Sequence, residues 1–192
     1  MILKNLLQFL APGKSPTGNT EQGKQSLNIG ADLLEWPERS IKAVDMARKR
    51  LAMPTLRIAD YGCGKQTARG LLPPGWEYVP FDYCSRSPDT VLCDFNTSLP
   101  EGAFDLILCL GVLEYLEDPF RLLRHALQQG GWVVFSYNGP TTEERRSVQG
   151  WKNCLSFGEI ESFLQRRGCA VIETADLGKN EWIYLVRSGA TS

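Results

Sequence analysis

The chain predicts an α/β fold: a mainly parallel sheet of about seven strands, helices on both faces and an antiparallel terminal hairpin. Three observations predict it. From Leu56 onward, short apolar runs alternate with stretches of helical periodicity, which is the pattern of strands joined by crossover helices. The first apolar run leads into a Gly-x-Gly turn at Gly62-Cys63-Gly64. The last two runs are separated only by a short turn containing Asp176-Leu177-Gly178-Lys179-Asn180, too few residues for a crossover, so they pair antiparallel.

Taken in chain order, Leu3, Leu6, Leu7 and Leu10 share one helical face, and a short amphipathic helix is expected there. Its apolar part is interrupted by Lys4, Asn5 and Gln8 and no convincing cleavage site follows, which argues against a secretory signal. Residues 11–26 are rich in Gly, Pro, Ser, Thr and Asn and read as a linker. A helix is expected from Trp36-Pro37, with proline in its first turn, to about Leu51, burying Ile41, Val44, Ala47 and Leu51. Strands are expected at Leu56–Asp60, Glu77–Phe81, Val91–Asp94, Phe104–Cys109, Trp132–Tyr137, Ala170–Thr174 and Trp182–Val186. Helices fit at Thr67–Leu72, Pro119–Gln129 and Phe157–Arg167. The last carries a capping box, Ser156 with Glu159, and stops at Gly168.

Composition narrows the function. The 192 residues suffice for one sizeable core and not for two ordinary domains. The formal net charge of -1, with both signs scattered, argues against a nucleic-acid substrate. No apolar run is long enough to span a bilayer. The six cysteines, at 63, 84, 93, 109, 154 and 169, include no Cys-x-x-Cys pair, and the only histidine, His125, lies in a helical stretch facing solvent or a local partner. No metal site is expected. A reducing, cytoplasmic compartment suits such a set of thiols.

The chemistry concentrates in Asp60-Tyr61-Gly62-Cys63-Gly64. A strand ending in glycines lets a ligand approach the backbone at the carboxyl edge of the sheet. Asp82 stands 20 residues beyond Gly62, where a carboxylate can take ribose hydroxyls. Nicotinamide enzymes share both features. Asp60 separates the readings: a carboxylate there repels a pyrophosphate and attracts a ligand bearing ammonium and sulfonium groups.

With those motifs, residues 55–187 resemble the class I S-adenosylmethionine-dependent methyltransferases. The resemblance implies that Asp60, Gly62, Cys63 and Gly64 hold the methionine part of S-adenosylmethionine and that Asp82 binds the ribose, with Tyr83 and Tyr115 bordering the adenine or the sulfonium. It implies that Asp94 receives the adenine amino group while Phe95 lies against the ring. The stretch Phe104 to Tyr115, with Leu110, is similar to the family's fourth-strand motif, and Gln129-Gly130-Gly131-Trp132 to the turn into its fifth strand. Tyr115 stands where many relatives have histidine. The alternation and spacing from Cys93 through Pro119 also resemble the small methyltransferase-like proteins linked to methionine biosynthesis.

The expected function is methyl transfer to an acceptor, with a small molecule ahead of protein and nucleic acid. Catalytic residues stay unassigned; Glu114, Tyr115, Tyr137 and Glu143 are the candidates should a general base be needed. Asp105 is read as structural. A non-catalytic regulator that keeps the pocket and a nicotinamide oxidoreductase are the alternatives. The expected organisation is a helical cap and linker at 1–54, the cofactor domain at 55–188 and a tail at 189–192, with homo-oligomerisation through the N-terminal helix.

Overall fold

The computed structural model describes residues 37–189. The helix expected at 3–10, the linker at 11–26, Trp36 and most of the tail lie outside the described residues. Helix α1 (Pro37–Arg50) opens on its proline and closes on Arg48, Lys49 and Arg50, cations that suit the negative end of the helix dipole. Its buried stripe is Ser40, Ala43, Val44, Met46 and Ala47, extended by Leu51. Ile41 was expected in that stripe and instead stands 51% exposed, because it projects well to one side of the line through Ala43 and Ala47.

Strands β1 (Leu56–Tyr61), β2 (Trp76–Asp82), β3 (Val91–Leu92), β4 (Phe104–Cys109), β5 (Gly130–Asn138), β6 (Ala170–Gly178) and β7 (Glu181–Arg187) form one seven-stranded sheet. Its order is β3-β2-β1-β4-β5-β7-β6. The first five strands pair in parallel, and β7 lies antiparallel between β5 and β6. The mainly parallel sheet with a terminal hairpin is therefore the one the sequence predicts. Because β1 is flanked by β2 on one side and β4 on the other, the winding reverses there, and such a switch point opens a crevice at the carboxyl ends of the strands.

The pleat divides the core. Ala59, Tyr61, Ile107, Cys109, Val133 and Phe135 pack on one face with buried residues of α2 (Pro119–Gln129) and α4 (Phe157–Arg166). Ile58, Leu106, Leu108, Val134, Ile183 and Leu185 pack on the other, against α1. The capping box of α4 forms as expected: the Ser156 hydroxyl accepts from the Glu159 amide at 3.2 Å, and Glu159 Oε2 accepts from the Ser156 amide at 2.8 Å.

Three local expectations are corrected and one element is added. The helix expected at Thr67–Leu72 is only a 3-10 turn, Arg69–Leu71. Gln66 is left-handed (φ 58°), and Gly70 with Pro73-Pro74 leaves no room to propagate a helix. The strand expected to reach Asp94 stops at Leu92, since Asp94 Oδ1 accepts from the Asn96 amide at 3.0 Å and begins a turn. The loop after β5 contains a helix, α3 (Glu143–Gln149), capped by the Thr142 hydroxyl. His125 is half-buried and bonds outside its helix. Its Nε2 meets the Pro100 carbonyl at 2.6 Å, tying α2 to the loop before β4.

Candidate cofactor site

All nine residues assigned to the cofactor stand at the carboxyl edge of β1, β2, β3 and β4. At the end of β1 the chain turns through Gly62 (φ +78°) and Gly64 (φ +49°), conformations that side-chain-bearing residues seldom adopt. The amides of Gly62 and Cys63 both donate to the Phe81 carbonyl, at 2.9 and 3.0 Å, so the turn is clamped to the end of β2. The space beside Gly64 is open: a Cβ there would meet no atom within 4 Å. At Gly62 the reason for glycine is different. A Cβ would lie 2.8 Å from Val112 Cβ, so this position is constrained by the protein itself.

Asp82 is the hub of the turn. It is 4% exposed, and its Oδ2 accepts from the Gly64 amide at 2.9 Å while Oδ1 accepts from the Cys84 amide at 3.2 Å. Oδ1 accepts from the Cys84 thiol as well, at 3.6 Å, so Oδ2 is the oxygen that retains a lone pair. The Asp82 carbonyl also accepts from the Cys93 amide at 2.8 Å, which connects the turn to the segment carrying Asp94 and Phe95.

Asp60 is equally buried. It caps no helix, since none follows, and its Oδ2 accepts instead from the Tyr78 hydroxyl at 2.5 Å. The second oxygen has no protein partner among the described residues. Burial, reinforced by the nearby Asp82 charge and opposed by the Tyr78 hydrogen bond, pushes the Asp60 carboxyl up to about 7. A buried carboxylate with one idle oxygen, beside open space at Gly64, is a fitting receptor for a cation. Burial also pushes the Cys63 thiol up to about 12, so this thiol stays protonated and unreactive.

The remaining expected residues divide. Phe95 is buried, with its ring 5.7 Å from that of Tyr61, so much of its surface is spent on the core. Tyr83 stands 51% exposed at the rim, and Leu110 follows the last residue of β4. Asp105 accepts from the Arg57 amide at 2.7 Å, in keeping with a structural role.

Beyond β4 lies a second group. Glu114 is 1% exposed; its Oε1 accepts from the Asn138 amide and side chain at 2.7 and 2.8 Å, and its buried Oε2 has no partner. Burial raises its carboxyl above the ordinary value. The Tyr137 hydroxyl, by contrast, is spent: it donates to Asn153 at 2.6 Å and accepts from the Leu155 amide at 2.7 Å. Glu143 lies exposed at the start of α3. Arg39 of α1 pairs with Glu181 of β7 and rests against Gly111, where a Cβ would collide with its guanidinium. Sequence reasoning missed Tyr78, Arg39 and Glu181. Tyr78 had a detectable signal, because it shares a face with Asp60 on the neighbouring strand; Arg39 and Glu181 are 142 residues apart and had none.

A parallel sheet wound about a switch point, with a glycine turn and two buried acids at its carboxyl edge, defines the class I methyltransferase architecture. A methyltransferase-domain family model matches residues 2–173, and the chain belongs to that family, whose methyl donor is S-adenosylmethionine. It is 27% identical over 123 residues to a ubiquinone biosynthesis O-methyltransferase of Chromobacterium violaceum, a match spanning 59% of this chain and 44% of that protein. In structure it is similar to the magnesium protoporphyrin IX methyltransferase of Synechocystis crystallised with SAH (TM-score 0.63, 15% identity, 87% of this chain and 90% of the other). It is also similar to an S-adenosylmethionine-dependent methyltransferase of Clostridium acetobutylicum (TM-score 0.63, 11% identity, 84% and 95%). At these identities the structural matches speak for the fold alone.

Proposed function

We propose that this chain methylates a small molecule on oxygen, using S-adenosylmethionine. The observation that carries the reading is the linked set Asp60, Gly64 and Asp82: a buried acid with an idle oxygen, an open glycine turn and a second buried acid bonded to that turn. Asp60 would pair with the ammonium group, Gly62, Cys63 and Gly64 would line the methionine part, and Asp82 would take the ribose. Asp94 and Phe95, with Tyr83, would face the adenine, and Leu110 the sulfonium. Bound there, the cofactor supplies a methyl group already activated by its positive sulfur. In this reading residues 55–188 are the cofactor domain, 1–54 a cap over the acceptor and 189–192 a tail.

The protein's contribution is then mainly positioning, and holding donor and acceptor in line supplies much of the acceleration. Among the sequence candidates for a base, Glu114 is the best placed in energy. Its unpartnered oxygen and raised carboxyl suit it to take the proton of an acceptor hydroxyl as that oxygen becomes the nucleophile. The name of the Chromobacterium relative supports oxygen as the methylated atom. No helix among the described residues is long and apolar enough to cross a membrane, which suits an acceptor met in solution.

Calorimetric titration with S-adenosylhomocysteine, with NADH in parallel, tests the cofactor reading. Binding of the first alone is expected. Binding of NADH alone, or of neither, overturns it. Transfer of labelled methyl to catechols and hydroxybenzoates, lost in Glu114→Gln with S-adenosylhomocysteine binding intact, is expected for the acceptor reading; labelling confined to protein or nucleic acid overturns it.

A further inference from the structure

Away from the cofactor edge, α2 and α4 enclose a groove whose chemistry the methyl-transfer reading does not use. Phe120 of α2 and Phe163 of α4 stack with centroids 4.6 Å apart at 21° and form its floor. Two adjoining hollows of about 440 and 490 Å³ meet over Phe120 and Arg166, so the depression is elongated rather than a single cup. Arg124, Arg166 and Arg167 rim it and are exposed; the one carboxylate in its lining, Glu159, is engaged by the Ser156 amide and hydroxyl. Among the described residues no carboxylate pairs with any of the three, and Arg167 lies 5.2 Å over the Phe163 ring.

Dipole compensation explains cations at the end of α4. It does not explain Arg124, which comes from the middle of α2 and faces the same hollow. Three unpaired guanidinium groups around an aromatic floor make a surface complementary to carboxylates carried beside apolar side chains. The shallow, elongated shape fits a chain segment better than an enclosed small anion. The stacked Phe120–Phe163 floor offers an apolar seat that a sugar-phosphate backbone would leave unused, which favours a peptide segment over a nucleic acid.

We propose that the α2–α4 groove docks an acidic, apolar-punctuated segment of a protein partner, with carboxylates on Arg124, Arg166 and Arg167 and an apolar side chain on Phe120. The test titrates the whole chain into a labelled peptide of alternating Glu and Leu at low salt. The comparators are the same peptide with Gln for Glu and a labelled single-stranded oligothymidylate. Binding of the Glu peptide is expected, weakened about tenfold or more by the Gln replacement and by the double variant Arg124→Glu/Arg166→Glu. That variant should stay folded, with its melting temperature lowered only by the lost helix-end cation, and its S-adenosylhomocysteine affinity should match the wild type. No binding of the Glu peptide, equal binding by the variant, or preference for the oligonucleotide would overturn the proposal. None of these outcomes depends on the cofactor reading.

Discussion

The Tyr78 hydroxyl donates to Asp60 Oδ2 at 2.5 Å across the β1–β2 pair. The register aligns Ile58 with Tyr78 and Asp60 with Pro80, so Tyr78 and Asp60 are diagonal neighbours on one face of the sheet. Arg69 stacks over the other side of the tyrosine ring at 5.0 Å and pairs with Asp89. The glycine turn, the 3-10 turn and the β2–β3 loop are thereby braced through one phenol. Tyr78→Phe should cost about 1–3 kcal/mol of stability, the range for leaving a buried acceptor without its donor. It should also weaken S-adenosylhomocysteine binding. Denaturant melts and calorimetry on the same variant check both effects.

Asp60 makes a pH prediction with a definite sign. Its carboxyl is raised to about 7 in the folded protein, above the unfolded value of about 4. The folded state therefore holds the proton more tightly, and this contribution to stability is full at low pH. It is lost as pH climbs through the window between those values and levels off above the upper one. Asp60→Asn should remove that part of the slope and melt relatively higher than wild type on the alkaline side. Melting curves across the window decide the matter; parallel curves for the two proteins would place the perturbed proton elsewhere.

Gly62 and Gly64 should fail differently when substituted. Gly64→Ala places a methyl group in open space at a backbone cost of about 1 kcal/mol, so the fold should survive while cofactor affinity drops. Gly62→Val drives side-chain atoms into Val112 and should destabilise the protein outright. Comparing melting temperature with S-adenosylhomocysteine affinity separates the two. Equal stability losses would show that Gly64 is constrained by the fold rather than by a ligand.

Asp82→Ala should weaken S-adenosylhomocysteine binding by about 1–3 kcal/mol and also loosen the turn, because the Gly64 and Cys84 amides lose their acceptor. Hydrogen exchange should accelerate at both amides in the variant. An unchanged affinity with faster exchange would leave Asp82 a purely structural clamp.

Arg39 and Glu181 pin α1 to β7 with side chains 15% and 9% exposed. Replacing Arg39 strands the largely buried Glu181 carboxylate, and a loss of about 3 kcal/mol is expected. Replacing both with apolar residues should recover much of it. A double-mutant cycle by denaturant melts gives the coupling, and independent, additive losses would contradict it.

Much of this molecule was legible because it rests on local chemistry. Strand alternation, the antiparallel end forced by a short turn, and the Ser156–Glu159 cap all depend on neighbours a few residues apart. The residues proposed for the cofactor, though scattered along the chain, come to one edge of the sheet because each lies at or just past the end of a parallel strand. Errors fell where local signals competed. Thr67–Leu72 looked helical until a left-handed Gln66 and Pro73-Pro74 shortened it to one 3-10 turn. Ile41 fitted an apolar period but lay off the stripe that α1 buries.

The amino-acid order by itself determined the fold class and the family, since periodicity and glycine chemistry are written in contiguous residues. Tertiary structure alone decided which acid does what. Burial and the Tyr78 hydroxyl set the proton affinity of Asp60, two loop amides turned Asp82 into a clamp, and Glu114 was left with an unpartnered oxygen. Arg39 met Glu181 from the opposite end of the chain. Each of these depends on desolvation and on contacts between distant segments, which exist only once the sheet has assembled.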